Sequence, residues 1–213
     1  MIYLNVCLPT SGQCRAEHTL SLANFGMYFM QVPVFPGQEQ RIVFRQIQSS
    51  CISFNREKLV ADSLAEGATH ILFIDEDIGF DPDVPHGLLR RQLPFVVGNY
   101  RIRFEGMPFA AIRPDGLSRM DTTADSPELE ECGACGFGMA LIAREVFESL
   151  PQPWFPQQWI PETKTYTTED TPFYLAAREH GFIPMIDHVA SRKLIHVGSY
   201  RYRWNDLTTI TIP

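Results

Sequence analysis

The sequence predicts one α/β domain with a mostly parallel central sheet that is flanked by helices. Short apolar runs such as 71–74 suit strands that are buried on both faces of a parallel sheet. Over residues 2–97 such runs alternate with helical patterns, in the order strand, helix, strand, helix, strand, helix, strand. This order is typical of parallel strands joined by right-handed crossovers. The 213 residues are enough for one sizeable domain of this class.

Composition excludes several classes of protein. The hydrophobic fraction is 45% and the charged fraction 20%, which is ordinary for a globular protein. A net charge of −7 argues against broad, non-specific binding to nucleic acid. We expect no membrane span, because no apolar run approaches the roughly 20 residues that a span needs. Residues 1–8 lack the features of a signal peptide and the five cysteines are scattered, so we expect a cytoplasmic protein with free thiols.

The elements of the first half follow from periodicity and from turn residues. Strands are predicted over 2–8, 41–46, 71–74 and 95–97, and helices over 20–30, 52–65 and 81–91. Leu20 belongs to the predicted packing face of the first helix. Ser53 is the expected cap of the second helix, and Asp81 followed by Pro82 is a strong start for the third.

The pattern changes after residue 100. Strands over 109–113 and 117–120 flank a turn at 114–116 and predict a hairpin, and the polar stretch 122–130 predicts an exposed loop. Further strands are predicted over 139–142, 182–186 and 194–198, and helices over 143–150 and 168–180. The stretch 153–161 is rich in proline and aromatic residues, and a loop of that length is more often functional than idle.

The strand over 71–74 ends abruptly in Asp75, Glu76 and Asp77. Burying an unpaired carboxylate is costly, so we expect the acids beyond the carboxyl edge of the sheet, where open α/β sheets bind ligands. In an extended chain Asp75 and Asp77 point to the same side. Two hard oxygen ligands suit Mg²⁺ or Mn²⁺. The alternative is an acidic surface loop that only adds solubility.

Three other local features admit a functional and a structural interpretation. Thr10, in the turn 9–12, either presents its hydroxyl to a ligand at the same sheet edge or belongs to a plain turn. Arg56 opposes the dipole at the start of its helix, so it either contacts a phosphate or carboxylate or is simply solvated. Cys132 and Cys135 form a lone pair with no second pair at zinc spacing, which argues against a metal or redox role.

The motifs taken in order resemble glycosyltransferases of the GT-A fold, and most of all the small family-2-like members of bacteria and phages. The resemblance rests on the D-x-D motif at 75–77, the glycine segment at 133–142, the aromatic residues at 153–155, the acid pair at 169–170 and the histidine at 196. It covers roughly residues 1–200, and its specificity lies in the order of motifs that are individually common. It implies a single GT-A-like domain over 1–213, with a nucleotide-binding half at 1–100, an acceptor half at 101–200 and a tail at 201–213.

The resemblance implies a metal-dependent hexosyl- or pentosyltransferase that uses a nucleotide-diphosphate sugar. The implied metal is Mn²⁺ or Mg²⁺, and its implied ligands are Asp75, Asp77 and His196. The residues implied on the nucleotide side are Thr10, Arg56, Asp75 and Glu76. His188 is a rival to His196, although its surroundings are predicted to be loop.

On the acceptor side, the resemblance implies that Asp170, beside Glu169, is the general base of an inverting transfer. The alternative for this pair is simple negative charge at a helix start. Gly136 and Trp154 are implied to lie against the acceptor, and the alternative for Trp154 is a plain core tryptophan.

Other functions and partners stay open at this point. One alternative is a sugar-phosphate nucleotidyltransferase, against which stands the lack of a glycine-rich basic loop after the first strand. Another is a non-catalytic module that binds a nucleotide or a sugar. The tail, residues 200–204, carries aromatic and basic residues that could stack on bases, so a phage origin would make modified DNA a candidate acceptor. The short chain also leaves room for a homo-oligomer to complete the acceptor site.

Overall fold

A computed structural model describes residues 1–103, 108–198 and 201–205, and for residues 201 and 202 only the backbone. The strands in these residues are β1 (Ile2–Thr10), β2 (Gln40–Gln48), β3 (His70–Ile74), β4 (Ile78–Phe80), β5 (Phe95–Val97), β6 (Leu129–Glu131), β7 (Met139–Ala143), β8 (Trp159–Ile160), β9 (Thr165–Tyr166), β10 (Met185–Asp187), β11 (Leu194–Val197) and β12 (Arg201–Arg203). The helices are α1 (Ala16–Gln31), α2 (Ile52–Ala65), α3 (Val84–Arg90), α4 (Arg144–Ser149), α5 (Asp170–Glu179) and α6 (His188–Ser191).

The central sheet has seven strands in the order β2-β1-β3-β7-β5-β10-β6. β1 runs parallel to β2 and β3, and β5 runs parallel to β10. β7 is antiparallel to both of its neighbours, and β6 is antiparallel to β10. Five strands therefore share one direction, which confirms the predicted α/β class with a mostly parallel sheet.

Apolar side chains of alternate residues fill a core on each face of this sheet. Along β3, Ile71 and Phe73 join one core and Leu72 and Ile74 join the other, as the two-residue repeat of a strand requires. Helices α2 and α5 cover the first core, and α1 and α3 cover the second. Because both faces are buried, the strand is apolar throughout rather than alternating, which is the signal that predicted it.

Several predicted details of the helices are wrong. Helix α1 begins at Ala16, and Leu20 is 62% exposed because the buried face consists of His18, Ser21, Phe25 and Phe29, which follow a helical spacing. Cys51, not Ser53, is the N-cap of α2, whose bounds agree with the prediction. Helix α3 begins at Val84 rather than at residue 81, and Asp83, not Asp81, is its N-cap.

The segment 109–120 forms no strand, although the structure describes all of it. Ile112 and Arg119 meet only in an isolated bridge, and the predicted turn between them is present, with Gly116 at φ +71°. The following polar stretch was predicted to be loop throughout, but its end forms β6 at the edge of the central sheet.

A second sheet, β12-β11-β4, continues from the carboxyl end of β3. Ile78 pairs with His196 across β4 and β11, and the N–H of Val197 donates to the carbonyl of Asp77 at 2.8 Å. These bonds place the strand that carries His196 directly beside the acids that follow β3. Among the described helices, none has both the length and the apolar character needed to cross a bilayer.

Candidate functional site

A pocket of about 270 Å³ lies at the carboxyl edge of the central sheet. Its walls come from the ends of β1 and β3, the start of α2 and the residue before α5. The residues proposed from the sequence that line it are Thr10, Arg56, Asp75, Glu76, Asp77 and Glu169. Arg103 lines it as well, so the sheet edge gathers acids and two arginines from four separate segments of the chain.

Glu76 holds the turn that follows β1. Its carboxylate accepts hydrogen bonds from the hydroxyl of Thr10, from the Ser11 hydroxyl at 2.5 Å and from the Ser11 N–H at 3.0 Å. Burial alone would raise the pKa of Glu76, but these hydrogen bonds outweigh it and the pKa lies below its usual range. Thr10 and Glu76 therefore bind each other here, with Gly12 at φ +108° closing the turn.

Arg56, on the pocket floor, links the end of β3 to the start of α5. The residue is 3% exposed, and its guanidinium pairs with Asp75 at 2.8 Å and with Glu169. It also lies 5.1 Å from the ring centre of Phe137. Burial would lower the pKa of Arg56, but the nearby carboxylates outweigh it and raise the pKa. Arg56 is therefore not a solvated arginine, and contact of its guanidinium with a ligand stays a prediction.

Asp77 faces His196 and Arg103. Its Oδ2 lies 3.5 Å from Nε2 of His196 and 2.5 Å from Nη2 of Arg103, whose Nε lies 3.2 Å from the same histidine nitrogen. Asp77 and His196 are both buried. Burial would raise the pKa of Asp77, but its polar surroundings, with the charge of Arg103 among them, bring the pKa below its usual range.

The chemistry of Asp77 and His196 fits a divalent cation. Nδ1 of His196 lies 2.7 Å from the carbonyl oxygen of Arg101, which can only accept, so Nδ1 carries the proton and Nε2 keeps a lone pair, which here accepts from the Nε–H of Arg103. Asp75, the third ligand implied by the resemblance, is bonded to Arg56 instead. Across the described parts of the chain, no three His, Cys, Asp or Glu side chains converge as a complete metal site. An ion held by Asp77 and His196 would need further ligands from outside these two side chains.

The two oxygens of Asp170 have different surroundings. Oδ1 accepts hydrogen bonds from the hydroxyl of Thr168 and from the N–H of Thr171, the latter at 2.8 Å. Oδ2 accepts no hydrogen bond from the described residues and faces the glycine segment, 3.8 Å from where a Cβ on Gly136 would lie. Glu169 differs, since its carboxylate is paired with Arg56 and burial raises its pKa, against the opposing effect of that arginine.

Tyr100, for which the sequence predicts no role, lies beside the glycine segment. A Cβ on Gly136 would lie 2.1 Å from its hydroxyl oxygen, and a Cβ on Gly138 would lie 2.6 Å from its Cε1. Its ring also meets the ring of His196 edge-on at 5.2 Å. Burial, and then the charge of Asp75, raises the pKa of the Tyr100 hydroxyl. The sequence contained one indication of its position, because Tyr100 closely follows the buried strand at 95–97 and is therefore expected at the same sheet edge.

We expect Gly136→Ala to lower the free energy of unfolding by about 1–3 kcal/mol, because the new methyl group overlaps the Tyr100 hydroxyl. Urea denaturation measures the change. Gly136→Ala combined with Tyr100→Phe is expected to recover part of the loss, since the nearest overlapping atom is then gone. Gly87→Ala is the matched control, because a Cβ there meets nothing within 4 Å. A Gly136→Ala protein as stable as this control would contradict the packing described above.

Trp154 lies in the core rather than on the acceptor side. It is 6% exposed, and its indole N–H donates to the carbonyl of Phe147 at 3.0 Å. The N–H groups of Trp154 and Phe155 donate to the carboxylate of Glu57, which draws this segment onto α2. The assignment of Trp154 to the acceptor is therefore corrected in favour of the core alternative, because a ring enclosed in this way cannot stack on a ligand.

Exposed aromatic rings occur instead on the β8–β9 hairpin. Trp159 and Tyr166 are 51% and 60% exposed and lie opposite each other, with ring centres 5.1 Å apart. The hairpin leads within four residues to Asp170. A tryptophan in a loop and one in a two-residue strand differ in no local sequence signal, which is why the sequence did not show that Trp154 is buried and Trp159 exposed.

The other predicted residues lie away from the pocket or outside the described residues. His188 is buried in α6 and bonded to Thr122 and Glu130, so it does not rival His196. Tyr200 and the side chains of Arg201 and Tyr202 lie outside the described part of the chain. The backbone carbonyls of Arg203 and Trp204 accept hydrogen bonds from Arg101.

No model of a known protein family matches this sequence, and no curated protein is similar to it. Among solved structures, A197 from STIV is similar over 100% of this chain and 99% of its own, with a TM-score of 0.60 and 18% identity. A nucleoside-diphosphate-sugar pyrophosphorylase from Vibrio cholerae RC9 is similar over 91% of this chain and 94% of its own, with a TM-score of 0.50 and 9% identity. These similarities establish a shared fold. A glycosyltransferase involved in glycosylation of the major capsid of PBCV-1, with a TM-score of 0.43 and 8% identity, is too distant to support an argument.

Proposed function

We propose that this chain is a glycosyltransferase that moves a sugar from a nucleotide-diphosphate sugar to a hydroxyl acceptor, with inversion and with a divalent cation. The observation that carries the proposal is the pocket at the sheet edge, where Asp77 and His196 face each other beside the ion-paired Asp75, Arg56 and Glu169. The fold shared with the Vibrio cholerae pyrophosphorylase supports the use of a nucleotide sugar.

On the donor side, Asp77 and His196 would hold Mn²⁺ or Mg²⁺. An ion bound there would neutralise the charge that develops on the nucleoside diphosphate as it leaves. His196 is kept in the correct tautomer by the carbonyl of Arg101. Arg56 would keep Asp75 and Glu169 in place on the pocket floor rather than contact the nucleotide base, since both ends of its guanidinium are engaged.

On the acceptor side, Asp170 would remove the proton from the acceptor hydroxyl while that oxygen attacks the anomeric carbon. Its Oδ2 suits this role because it accepts no hydrogen bond from any described residue, whereas Oδ1 is held by Thr168 and Thr171. Gly136 leaves the space where its Cβ would lie to the Tyr100 hydroxyl, so an acceptor would reach Oδ2 beside that hydroxyl. Glu169 would act as a positioning residue through Arg56 rather than as a base.

The turn after β1 favours a glycosyltransferase over a sugar-phosphate nucleotidyltransferase. A nucleotidyltransferase would need backbone N–H groups of this turn to cradle phosphates. Here the N–H of Ser11 donates to Glu76 at 3.0 Å, and that carboxylate would repel a phosphate. The non-catalytic module is distinguished by whether any nucleotide is released from a bound donor.

The test of the donor site is a thermal-shift panel of nucleoside diphosphates and nucleotide sugars, with Mn²⁺ and with a chelator. We expect one nucleotide to raise the melting temperature by roughly 5–10 °C at 100 times its Kd, because a ligand that binds only the folded state stabilises it by about 2.7 kcal/mol. The shift should vanish with chelator and in Asp77→Ala. Asp125→Ala, in an exposed loop, is the control and should keep the shift. A shift that survives both the chelator and Asp77→Ala, or no shift with any nucleotide, would contradict the proposal.

A further inference from the structure

The guanidinium of Arg103 lies between the two side chains that would bind the metal ion. Its Nη2 is 2.5 Å from Oδ2 of Asp77, and its Nε is 3.2 Å from Nε2 of His196. Because Nδ1 of His196 carries the proton, the Nε–H of Arg103 donates to the lone pair of Nε2. Arg103 thus uses the carboxylate oxygen and the imidazole lone pair that a metal ion would need.

The burial of the three groups is unequal. Asp77 and His196 are buried and fixed by β4 and β11, whereas the side chain of Arg103 is 56% exposed. A buried carboxylate needs a compensating cation, and without a metal ion Arg103 supplies that charge. Since its side chain is largely in solvent, Arg103 can leave without opening a cavity in the core, and the two ligands would stay where they are.

We propose that Arg103 and a divalent cation are alternative occupants of the Asp77–His196 pair, and that Arg103 turns to the diphosphate of the donor when the ion binds. This inference rests on the proposed function, because it requires Asp77 and His196 to bind the ion. The imidazole lone pair cannot serve both cations at once, and the two positive charges repel each other at this distance. A guanidinium matches the oxygens of a phosphate in geometry and charge, so the donor offers Arg103 a new partner.

Ion and donor should consequently bind with positive cooperativity. The ion alone must displace Arg103 into solvent, which weakens its binding. When the diphosphate is present, the displaced guanidinium gains a partner, so each ligand strengthens the binding of the other. The charge of Asp77 would then be compensated in both states, by Arg103 before the donor binds and by the ion afterwards.

The test measures Mn²⁺ binding directly, by titration calorimetry and by the electron paramagnetic resonance signal of free Mn²⁺, without any activity assay. We expect Arg103→Gln to bind Mn²⁺ about 10-fold more tightly than the natural chain when nucleotide is absent, because the competing charge is removed. The gain in Mn²⁺ affinity caused by a nucleoside diphosphate should be smaller in Arg103→Gln. Arg103→Lys keeps the charge and should lie between the two. Arg113→Ala, which removes an exposed arginine paired with Glu130, is the matched control and should change nothing.

The outcomes separate this inference from the proposed function. If the natural chain binds Mn²⁺, Asp77→Ala abolishes that binding and Arg103→Gln leaves the affinity unchanged or weaker, competition is overturned while the metal site stands. If neither the natural chain nor Arg103→Gln binds Mn²⁺ beyond the level of Asp77→Ala, with and without nucleoside diphosphate, both ideas are overturned. Tighter binding in Arg103→Gln that disappears on adding Asp77→Ala supports the inference.

Discussion

Replacing Arg56 with methionine is expected to lower the free energy of unfolding by about 3–5 kcal/mol at neutral pH, because removing one partner of a buried ion pair leaves its carboxylates uncompensated. Arg56 is 3% exposed and is shared by Asp75 and Glu169. Methionine fills most of the volume that Arg56 occupies beside Phe137, so the loss of stability measures the missing charge more than a change in packing. Urea denaturation measures the change.

The loss should shrink as the pH falls. Burial already raises the pKa of Glu169 in the natural chain, and Arg56 opposes that rise. Without the arginine the folded-state pKa rises further above the unfolded value of about 4.3. A carboxyl with a raised folded-state pKa destabilises the fold while it is ionised, and protonation relieves the penalty. The difference in the free energy of unfolding between Arg56→Met and the natural chain should therefore be largest above the folded-state pKa of Glu169. It should decrease as the pH falls towards 4.5.

Lys58→Met is the matched control for Arg56→Met. Lys58 lies on the same helix and pairs with Asp62, but both side chains are substantially exposed, so the loss should stay within about 0.5 kcal/mol. Arg56→Lys should fall between the two variants, because a single ammonium cannot reproduce the planar fork that meets two carboxylates. If Arg56→Met cost no more than Lys58→Met, or if its cost grew at low pH, the buried ion pairs would not be stabilising the site.

Asp170→Asn is expected to lower the rate of nucleoside diphosphate release from the donor by roughly 10²–10⁴-fold, because an amide cannot accept the proton of the attacking hydroxyl. The measurement uses the nucleotide sugar identified by thermal shift and water as the acceptor, so that the natural acceptor need not be known. The thermal shift with donor and Mn²⁺ should persist in this variant, since Asp170 does not line the donor pocket. The pairing of unchanged binding with lost turnover is the signature of a base.

Glu145→Gln provides the control for the helix position of Asp170. Glu145 is exposed and lies in the first turn of α4, so the substitution removes a comparable charge from a helix start. Its rate of release should equal that of the natural chain. An unchanged rate in Asp170→Asn would reject Asp170 as the base. Donor binding with no release by the natural chain, even with a large excess of small hydroxyl acceptors, would support the non-catalytic module.

The fold class was predictable because it depends on short-range patterns. Apolar runs such as 71–74 indicate a strand that is buried on both faces, and the change to acids at Asp75 indicates where that burial ends. The same logic placed Phe95–Val97 and the bounds of α2. The direction of a strand could not be predicted in this way, because residues 139–143 have the pattern of a buried strand in either direction. Only the assembled sheet shows that β7 is antiparallel to its neighbours.

The position of the acids was therefore determined by the sequence itself, whereas their partners were decided by the tertiary structure. The bonded partners are far apart in the sequence: Arg56 and Glu169 are separated by 113 residues, Thr10 and Glu76 by 66, and His196 and Arg103 by 93. A local pattern reports whether a side chain is buried, because burial repeats with the period of the helix or strand. It does not report which charge lies opposite, since that depends on which segments the fold brings to one edge. Trp154 and Trp159 show the same limit, since Trp154 lies in a loop and Trp159 in a strand of only two residues, and only packing decides which ring is exposed.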